Sequence, residues 1–377
     1  MEKQVIAWRR DFHAHPERGF QEKRTSRIVT SELKRLGIKV RSMAKTGVVG
    51  TVECRDSLET IAFRADMDAL PMDEDSDLPF KSKTPGVAHM CGHDAHTAML
   101  LGTAAVLVRL KCHLKRRVKL IFQPSEESAP SGAQAMVRAG AMRGVDEVFG
   151  LHMGSLIPNG TLFLRPGPML AAMDGLCINV IGKGGHGASP HECVDPVPIA
   201  AEIITALQTI VSRKIKPVDA AVVSICRMQA GTAGNIIPEQ VKLMGTVRTL
   251  EERVRRRLPR MIERIVQGVT RAHGGTYEMK YSRGYPPVVN DAGSVGRLAR
   301  AADDLFGRKL KVDEMEPIMG SEDFCFYLEK AKGAIAMLGA GGTVKSARRP
   351  HHSPQFWIDE SVLYQGPALF SYLALAQ

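Results

Sequence analysis

The chain has 377 residues and a net charge of +11, and it is 44% hydrophobic and 24% charged. This composition is typical of a soluble globular protein with two domains or one large insertion. No apolar run approaches the ~20 residues needed to cross a bilayer, so we expect no membrane partner. The first residues lack the apolar core of a signal peptide, which predicts a cytoplasmic location.

The positive charge is concentrated in residues 111–119 and 253–260. We interpret both runs as solvated helix faces and loop ends, because aromatic residues make up only 5% of the chain and do not interleave with the basic residues. The sequence therefore predicts no nucleic-acid partner, although a basic surface would attract anionic substrates. The odd number of cysteines in a long chain argues against a disulfide scaffold.

Strands and helices alternate in the first part of the chain, which predicts a mostly parallel sheet. We expect helices within 3–36, with a break at His15-Pro16, from Asp94 to about 110, and over 132–139. Asp94 is expected to be the N-cap of its helix. The predicted strands cover 47–52, 61–65, 118–122 and 148–151.

The pattern changes after residue 173. Strands over 176–181, 220–228, 241–247 and 277–281, with helices over 196–212 and 251–273, predict a small α+β unit. The α/β pattern returns with a helix over 291–306, a strand over 334–338 and a helix from 360. The fold prediction is therefore an α/β catalytic domain with a mostly parallel sheet and helices on both faces, formed by 1–173 and 287–377, and an inserted α+β domain over 174–286.

A thiol and an imidazole lie two residues apart at Cys91 and His93. This spacing puts both side chains on one side of an extended segment but on divergent faces of a helix, so we expect a loop. Gly92 would permit its tight backbone. A thiolate with imidazole suits zinc, and a mixed site could also take manganese, cobalt or nickel. His152, at the end of the apolar run 148–151, offers a further donor.

Two adjacent carboxylates, Glu126 and Glu127, follow a predicted strand. Neighbouring side chains diverge, so one carboxylate can bind metal while the other faces the substrate. A like charge and apolar surroundings should raise the pKa of the second one toward the working pH, which suits a general base and acid. The alternative is a solvated acidic loop.

Two further segments carry candidate residues. Asp66 and Asp68 end another predicted strand, where they could orient a ligand histidine or cap a backbone N–H. The segment 182–187 resembles a phosphate loop only superficially, because it lacks Gly-Lys-Ser/Thr and its glycine spacing differs. We expect a flexible loop that presents His186 to a substrate.

Motifs along nearly the whole chain resemble the metal-dependent amidohydrolase and carboxypeptidase family of hippurate hydrolases, auxin-conjugate hydrolases and other N-acyl-amino-acid amidohydrolases. The resemblance rests on ten segments in order: DFHAHPE (11–17), RADMDALP (64–71), CGHDAH (91–96), FQPSEE (122–127), GLH (150–152), GKGGHG (182–187), NIIPE (235–239), GTVR (245–248), GSEDF (320–324) and HSP (352–354).

The resemblance implies two divalent metal ions and a general base, Glu126. It assigns the metal ligands to five positions: Cys91, His93, Glu127, His152 and His352. A cysteine stands where wider relatives have a bridging aspartate, and the histidine ligand that those relatives carry near the position of Asp66 is absent. Asp68 is grouped with the catalytic residues because it would orient a ligand.

The resemblance further implies that the inserted domain is a lid that mediates dimerisation. His186 matches a histidine that helps to hold the tetrahedral intermediate, sometimes from the partner subunit. Asn235 and Arg248 match groups near the substrate carboxylate. We therefore expect a homodimer or higher homo-oligomer that binds a small-molecule substrate.

The expected activity is hydrolysis of the amide bond of N-acyl amino acids, as in aminoacylases and hippurate hydrolases. A metallocarboxypeptidase or dipeptidase acting on N-blocked short peptides is the alternative that the sequence leaves open. A non-catalytic metal or ligand binding protein is the remoter alternative, and the intact Glu126-Glu127 pair argues against it.

Overall fold

The structure is a computed structural model that describes residues 1–54 and 59–376. The chain forms two compact units. The first comprises Met1–Gly167, Val289–Glu316 and Asp323–Gln377, and the second comprises Pro168–Val288 and Pro317–Glu322. The assignment of catalytic and lid roles to 1–173 with 287–377 and to 174–286 stays a prediction.

The helices and strands of the described residues are as follows. The helices are α1 (Glu2–Ala14), α2 (Lys23–Arg35), α3 (His93–Arg109), α4 (Gly132–Arg138), α5 (Pro196–Thr209), α6 (Glu252–Ala272), α7 (Ala292–Phe306), α8 (Cys325–Leu328) and α9 (Gln365–Leu375). The strands are β1 (Lys39–Met43), β2 (Gly47–Val52), β3 (Thr60–Asp66), β4 (Arg117–Gln123), β5 (Glu147–Gly154), β6 (Thr161–Leu164), β7 (Gly167–Leu170), β8 (Ala172–Ile181), β9 (Gly185–His186), β10 (Ala221–Ala230), β11 (Ile236–Ile237), β12 (Gln240–Thr249), β13 (Thr276–Arg283), β14 (Val288–Asn290), β15 (Lys311–Glu314) and β16 (Lys332–Gly339).

The first unit is built on an eight-stranded sheet in the order β1-β2-β4-β3-β5-β16-β6-β15. Four neighbouring pairs, β4–β3, β3–β5, β5–β16 and β6–β15, are parallel. The pairs β1–β2, β2–β4 and β16–β6 are antiparallel. The prediction of a mostly parallel sheet in an α/β fold is confirmed.

Strand β3 shows why helices cover both faces of this sheet. All of its residues are buried, as expected for a central strand in a parallel sheet. Side chains alternate between the two faces. Phe63 lies in the main apolar core and stacks on Phe370 of α9, with ring centroids 4.6 Å apart. Arg64 points to the other face and reaches Asp323, just before α8, at 3.0 Å.

Helix α3 is almost completely buried, as expected for a helix that is apolar on all sides. Gly102 lets its neighbours approach closely, because a Cβ there would lie 2.7 Å from Val5 and 2.9 Å from Pro367. The prediction that Asp94 is the N-cap was wrong. Gly92, in the left-handed region with φ +90°, is the N-cap, and the Asp94 carboxylate instead accepts a hydrogen bond from Arg9 at 2.9 Å.

The second unit contains a four-stranded antiparallel sheet in the order β10-β12-β8-β13. Its apolar core joins strand residues such as Ile178 and Leu243 to α5 and α6. In α6 the apolar side chains Val254, Leu258 and Ile262 are buried at helical spacing, whereas most of the arginines of 253–260 are exposed. The predicted α+β unit is confirmed, and its helix α6 is amphipathic with a basic exposed face.

Two negative predictions can be compared with the described residues. All seven cysteines are free thiols in this structure. Within 1–54 and 59–376, none of the helices is both long and apolar enough to span a bilayer.

Candidate metal centre

The candidate residues of the first unit come from one edge of its sheet. Asp66 ends β3, and Asp68 follows two residues later. Glu126 follows the end of β4, and His152 lies near the end of β5. Because β4, β3 and β5 are parallel neighbours, their carboxyl ends meet at the same edge, where α/β proteins bind ligands.

One group of donors consists of Cys91, His93 and His152, whose donor atoms lie within 4.8 Å of one another. The Sγ of Cys91 is 3.6 Å from Nε2 of His152. Nδ1 of His93 is 3.0 Å from the carbonyl oxygen of Asp68, which leaves Nε2 as the donor atom. That Nε2 is buried without a hydrogen-bond partner among the described residues. Buried polar atoms rarely lack a partner, and a cation would provide one.

A second group consists of Cys91, Glu127 and His352. Nε2 of His352 lies 3.1 Å from Oε1 of Glu127. His352 has φ +61°, a left-handed conformation that non-glycine residues rarely adopt and that clusters at functional sites. Because Cys91 belongs to both groups, its thiolate can bridge two cations. The fold thus brings together all five residues that the sequence assigned as metal ligands.

A third cluster, Asp66 with His93 and His96, is a hydrogen-bond network and not a metal site. Nδ1 of His96 is 2.6 Å from Asp66, and Nε2 of His96 accepts the N–H of Met153 at 2.8 Å. Asp66 is also bound by Arg64 at 2.6 Å. Both nitrogens of His96 are therefore occupied. His96 was not among the predicted site residues, although its position three residues after His93 puts both on one helix face.

Asp68 holds the residues around it. Its Oδ1 accepts the backbone N–H of Glu126, and its Oδ2 accepts that of Glu127, both at 3.0 Å. Oδ1 also lies 3.3 Å from Nδ1 of His93. The carboxylate therefore fixes two consecutive backbone groups and the ring of one donor. This is the arrangement by which ligands of metal sites are commonly oriented.

The electrostatics of the donors favour occupation by cations. Burial raises the pKa of the Cys91 thiol well above its ordinary value, and the charge of Glu127 adds to this effect. Burial also lowers the pKa of His152 well below its ordinary value, so its ring is neutral. A neutral imidazole is a metal ligand, and a bound cation would supply the charge that stabilises a buried thiolate.

Glu127 and His352 form a matched pair. Burial alone would raise the pKa of Glu127, but the hydrogen bond from His352 and the charge of His93 hold it below the ordinary carboxyl value. The hydrogen bond to Glu127 raises the pKa of His352. Each partner therefore favours the charged form of the other.

Glu126 lies beside the donors. One of its carboxylate oxygens is within 4.8 Å of the donor atoms of His93 and Glu127, and the residue is only 9% exposed. Its backbone is held by Asp68, as described above. A carboxylate in this position can exchange a proton with a water molecule at the donor groups.

The three remaining candidate residues, His186, Asn235 and Arg248, lie in the second unit, where Arg248 is far from the other two. His186, in the two-residue strand β9, pairs with β11, so it lies next to Asn235, whose carbonyl accepts the N–H of Gly187 at 2.9 Å. Both residues are exposed and lie near the end of β12 that begins at Gln240. Arg248 lies eight residues further along β12, or about 26 Å at the rise of a strand. It is half-buried and bonds to Thr246 and to the carbonyl of Val247.

The fold and the donor set define the class as a metal-dependent hydrolase with an α/β scaffold. The family model described as peptidase family M20/M25/M40 matches residues 62–376. This chain therefore belongs to that family, and the predictions of the family resemblance and of a metal-dependent amidohydrolase are confirmed.

The relatives include several named hydrolases. A thermostable carboxypeptidase of Saccharolobus solfataricus is 41% identical over all of this chain and 95% of its own length. An N-acyl-L-amino acid amidohydrolase of Geobacillus stearothermophilus is 47% identical over 76% of this chain and 78% of its own. Among solved structures, a Bacillus subtilis protein described as a dinuclear metal binding peptidase of the M20 family is 36% identical. It covers 99% of this chain and 97% of its own, with a TM-score of 0.88.

Proposed function

We propose that this chain hydrolyses the amide bond of N-acyl amino acids with two divalent cations and with Glu126 as general base. The observation that carries this proposal is the pair of donor groups that share Cys91 and lie beside Glu126. One cation would be held by Cys91, His93 and His152, and the other by Cys91, Glu127 and His352. The solved relative described as dinuclear supports this number of ions.

The donor set fits such ions but does not choose between them. Thiolate and imidazole favour zinc, and the carboxylate of Glu127 also suits manganese, cobalt or nickel. When bound, the cations supply the Lewis acidity that lowers the pKa of a water molecule and polarises the acyl oxygen.

Glu126 moves the proton in this reaction. Its carboxylate takes a proton from the attacking water as the new C–O bond forms at the acyl carbon. It then gives that proton to the amide nitrogen as the C–N bond breaks, so that a carboxylic acid and an amine are released. Asp68 holds the backbone of Glu126 and Glu127 and the ring of His93, which keeps these groups in place during the transfer.

The second unit would bind the substrate. His186 would donate a hydrogen bond to the developing oxyanion, and Asn235 and Arg248 would bind the carboxylate of the leaving amino acid. Only the α-carbon separates the amide nitrogen from that carboxylate. His186 lies beyond one end of the four-stranded sheet and Arg248 lies near its other end, so a single copy of this unit is too wide to place both on one small substrate.

We therefore propose a homodimer in which each site takes His186 and Asn235 from one subunit and Arg248 from the other. The second unit would then act as the lid and as the dimerisation domain, over the predicted limits 174–286. The cytoplasmic location remains a prediction.

A carboxypeptidase activity on N-blocked short peptides is the second candidate. It is favoured by the 41% identity to a thermostable carboxypeptidase over the full chain. The N-acyl-L-amino acid amidohydrolase and an N-acetylcysteine deacetylase of Bacillus subtilis, 39% identical over 98% of this chain, favour the first. Both reactions release an amino acid with a free carboxylate, so the same residues would serve either.

A substrate panel tests the proposal. Purified protein would be assayed with N-acetyl, N-benzoyl and indoleacetyl amino acids and with N-blocked dipeptides, in the presence of zinc, manganese, cobalt or nickel. We expect hydrolysis that a chelator abolishes and that added metal restores, with a higher kcat/KM for N-acyl amino acids. Faster cleavage of the dipeptides would instead favour the carboxypeptidase, and no hydrolysis with any metal would favour a binding protein.

A further inference from the structure

Glu22 is a second buried carboxylate, besides Asp68, that contacts the turn at 125–127, which carries Glu126. Its Oε1 accepts the backbone N–H of Ser125 at 2.9 Å, and its Oε2 is bound by the hydroxyl of Thr46 at 2.5 Å. Oε1 also accepts the N–H of Phe20 at 3.0 Å. Glu22 is fully buried and lies just before α2, far from Glu126 in the sequence. Glu22 was not among the predicted site residues.

The turn that Glu22 contacts has an unusual backbone. Ser125 has φ +47°, in the left-handed region that L-residues avoid. Three consecutive N–H groups, at 125, 126 and 127, are bound by two buried carboxylates, the first by Glu22 and the others by Asp68. Successive N–H groups of this kind form a concave anion-binding backbone. Here the anions are side chains of the protein, and they fix the turn from two sides.

Close packing reinforces these hydrogen bonds. A Cβ at Gly19 would lie 2.5 Å from Oγ of Ser125, so the segment before Glu22 lies directly against the turn. The same segment is tied to the residue after Asp68, since the carbonyl of Glu17 accepts the N–H of Ala69 at 2.9 Å. Segment 17–22 therefore contacts both the turn at 125–127 and the segment that carries Asp68.

We propose that Glu22 is a positioning residue that holds Ser125 in its left-handed conformation and thereby aims the Glu126 carboxylate. This inference rests on the proposed role of Glu126 as general base. Within the described residues, the hydrogen bonds that the Glu22 carboxylate accepts come from Phe20, Thr46 and Ser125, so its effect reaches the Glu126 side chain through the backbone. A displacement of about 1 Å in a catalytic group can lower a rate by about a hundredfold.

Two substitutions at Glu22 distinguish positioning from bulk stability. Glu22→Gln keeps an oxygen for Phe20 and Ser125 and places an amide NH2 against the hydroxyl of Thr46, which can accept its hydrogen bond. Burial raises the pKa of Glu22 to about 7, so the neutral form that glutamine imitates is accessible near neutrality. We expect Glu22→Gln to keep kcat within about threefold. Glu22→Ala removes all three contacts, and we expect kcat to fall by about tenfold to a hundredfold with KM within about twofold.

Glu17→Gln is the matched control. The Glu17 carboxylate binds the backbone N–H groups of Arg24 and Thr25 at the start of α2 and does not contact the turn. Its loss should lower the melting temperature but leave kcat within about twofold. All variants would be assayed at saturating metal with the bound metal measured. Loss of metal in Glu22→Ala would overturn the proposal, because the turn would then serve Glu127.

A double-mutant cycle with Glu126→Gln gives the decisive comparison. If Glu22 acts through Glu126, Glu22→Ala should slow the remaining activity of Glu126→Gln by less than about twofold. An equal loss in both backgrounds would overturn the positioning role and leave the proposed function intact. Wild-type rates in Glu126→Gln would instead refute the role of Glu126 as general base.

If Glu22→Ala fails to fold, Thr46→Val offers a second test. This variant removes one contact of Glu22 and should also lower kcat, and an unchanged kcat would count against the proposal.

Discussion

The two units hold their candidate residues in different ways. In the first unit His93 is buried and is held by Asp68, three further donors are partly buried, and the exposed ring of His352 is held by Glu127. In the second unit His186 and Asn235 are exposed, and the hydrogen bonds of the Arg248 side chain within the described residues go to Thr246 and Val247 of its own strand. A site that must bind cations is thus pre-organised within one chain. Groups that must contact a substrate are left for the substrate or a second subunit to order.

The largest expected effect is on catalysis in the first unit, where a substitution of Glu126 should stop proton transfer without removing the metal. In Glu126→Gln the amide cannot accept a proton from water, so kcat should fall by at least about a hundredfold. The metal content, measured by mass spectrometry of the purified variant, should stay at the wild-type value. Exposed Glu329→Gln is the control and should leave both quantities unchanged. Loss of metal from Glu126→Gln would show that this residue is a ligand.

The next prediction tests whether the second unit completes the site of its partner. Glu126→Gln and His186→Ala should each be nearly inactive alone. When the two are unfolded together and refolded as a mixture, about half of the dimers are mixed, and each mixed dimer has one intact site. The activity should therefore return to about a quarter of the wild-type value.

Refolding each variant by itself supplies the control, and both should stay inactive. If the mixture recovers no activity although mixed dimers form, His186 acts within its own subunit. Sedimentation that shows a monomer at assay concentrations would also contradict the shared site.

The smallest effect concerns how the second unit is stabilised. Asp174 is buried and is bound by Arg255 at 2.6 Å, by the hydroxyl of Tyr281 at 2.8 Å and by the N–H of Gly284 at 3.0 Å. Burial opposes its charge, but the hydrogen bond from Arg255 holds its pKa below the ordinary value. The carboxylate therefore stabilises the fold above its unfolded pKa of about 3.9, and this stability is lost as the pH falls through the folded pKa.

We expect the melting temperature to fall as the pH is lowered below about 4, and to fall less steeply in Asp174→Asn. At pH 7 that variant should lose about 3 kcal/mol, because the buried charge of Arg255 loses its buried carboxylate partner and keeps only the more exposed Glu252. Calorimetry would measure both effects. Glu263→Gln is the control, since Glu263 is exposed on α6, the helix that carries Arg255, and it should change neither quantity. If the melting temperature of Asp174→Asn fell as steeply below pH 4 as that of the wild type, this role would be refuted.

Part of the fold and site could be predicted from local patterns. Long apolar strands and amphipathic helices were found, but β1, β6 and β15 were missed because they are short and partly exposed. Such strands are stabilised by pairing with their neighbours and carry little signal of their own. Asp94 was assigned as an N-cap because its residue type favours that position, but its buried contact with Arg9 comes from a different helix.

Four of the five donors could be recognised as candidates from their side chains, and two of them, Glu127 and His152, lie at the ends of apolar strands that meet at one sheet edge. The fifth, His352, was assigned only by the family resemblance, because its own segment is typical of a polar loop. Other parts of the site depend on contacts between distant segments. The sequence contained His96, but only the hydrogen bond from Met153 shows that its second nitrogen is occupied. In the same way, only the packing of segment 17–22 against the turn brings Glu22 to Ser125.

The sequence by itself determined the class of the fold, the family and the types of residue at the metal centre, because these follow from periodicity and from chemically distinctive side chains. Only the tertiary structure decided which donors share Cys91, which buried carboxylates hold the turn of Glu126, and that His186 and Arg248 lie far apart in the second unit. These properties are distances between residues remote in the chain. They are set by strand order and packing, which no local pattern encodes.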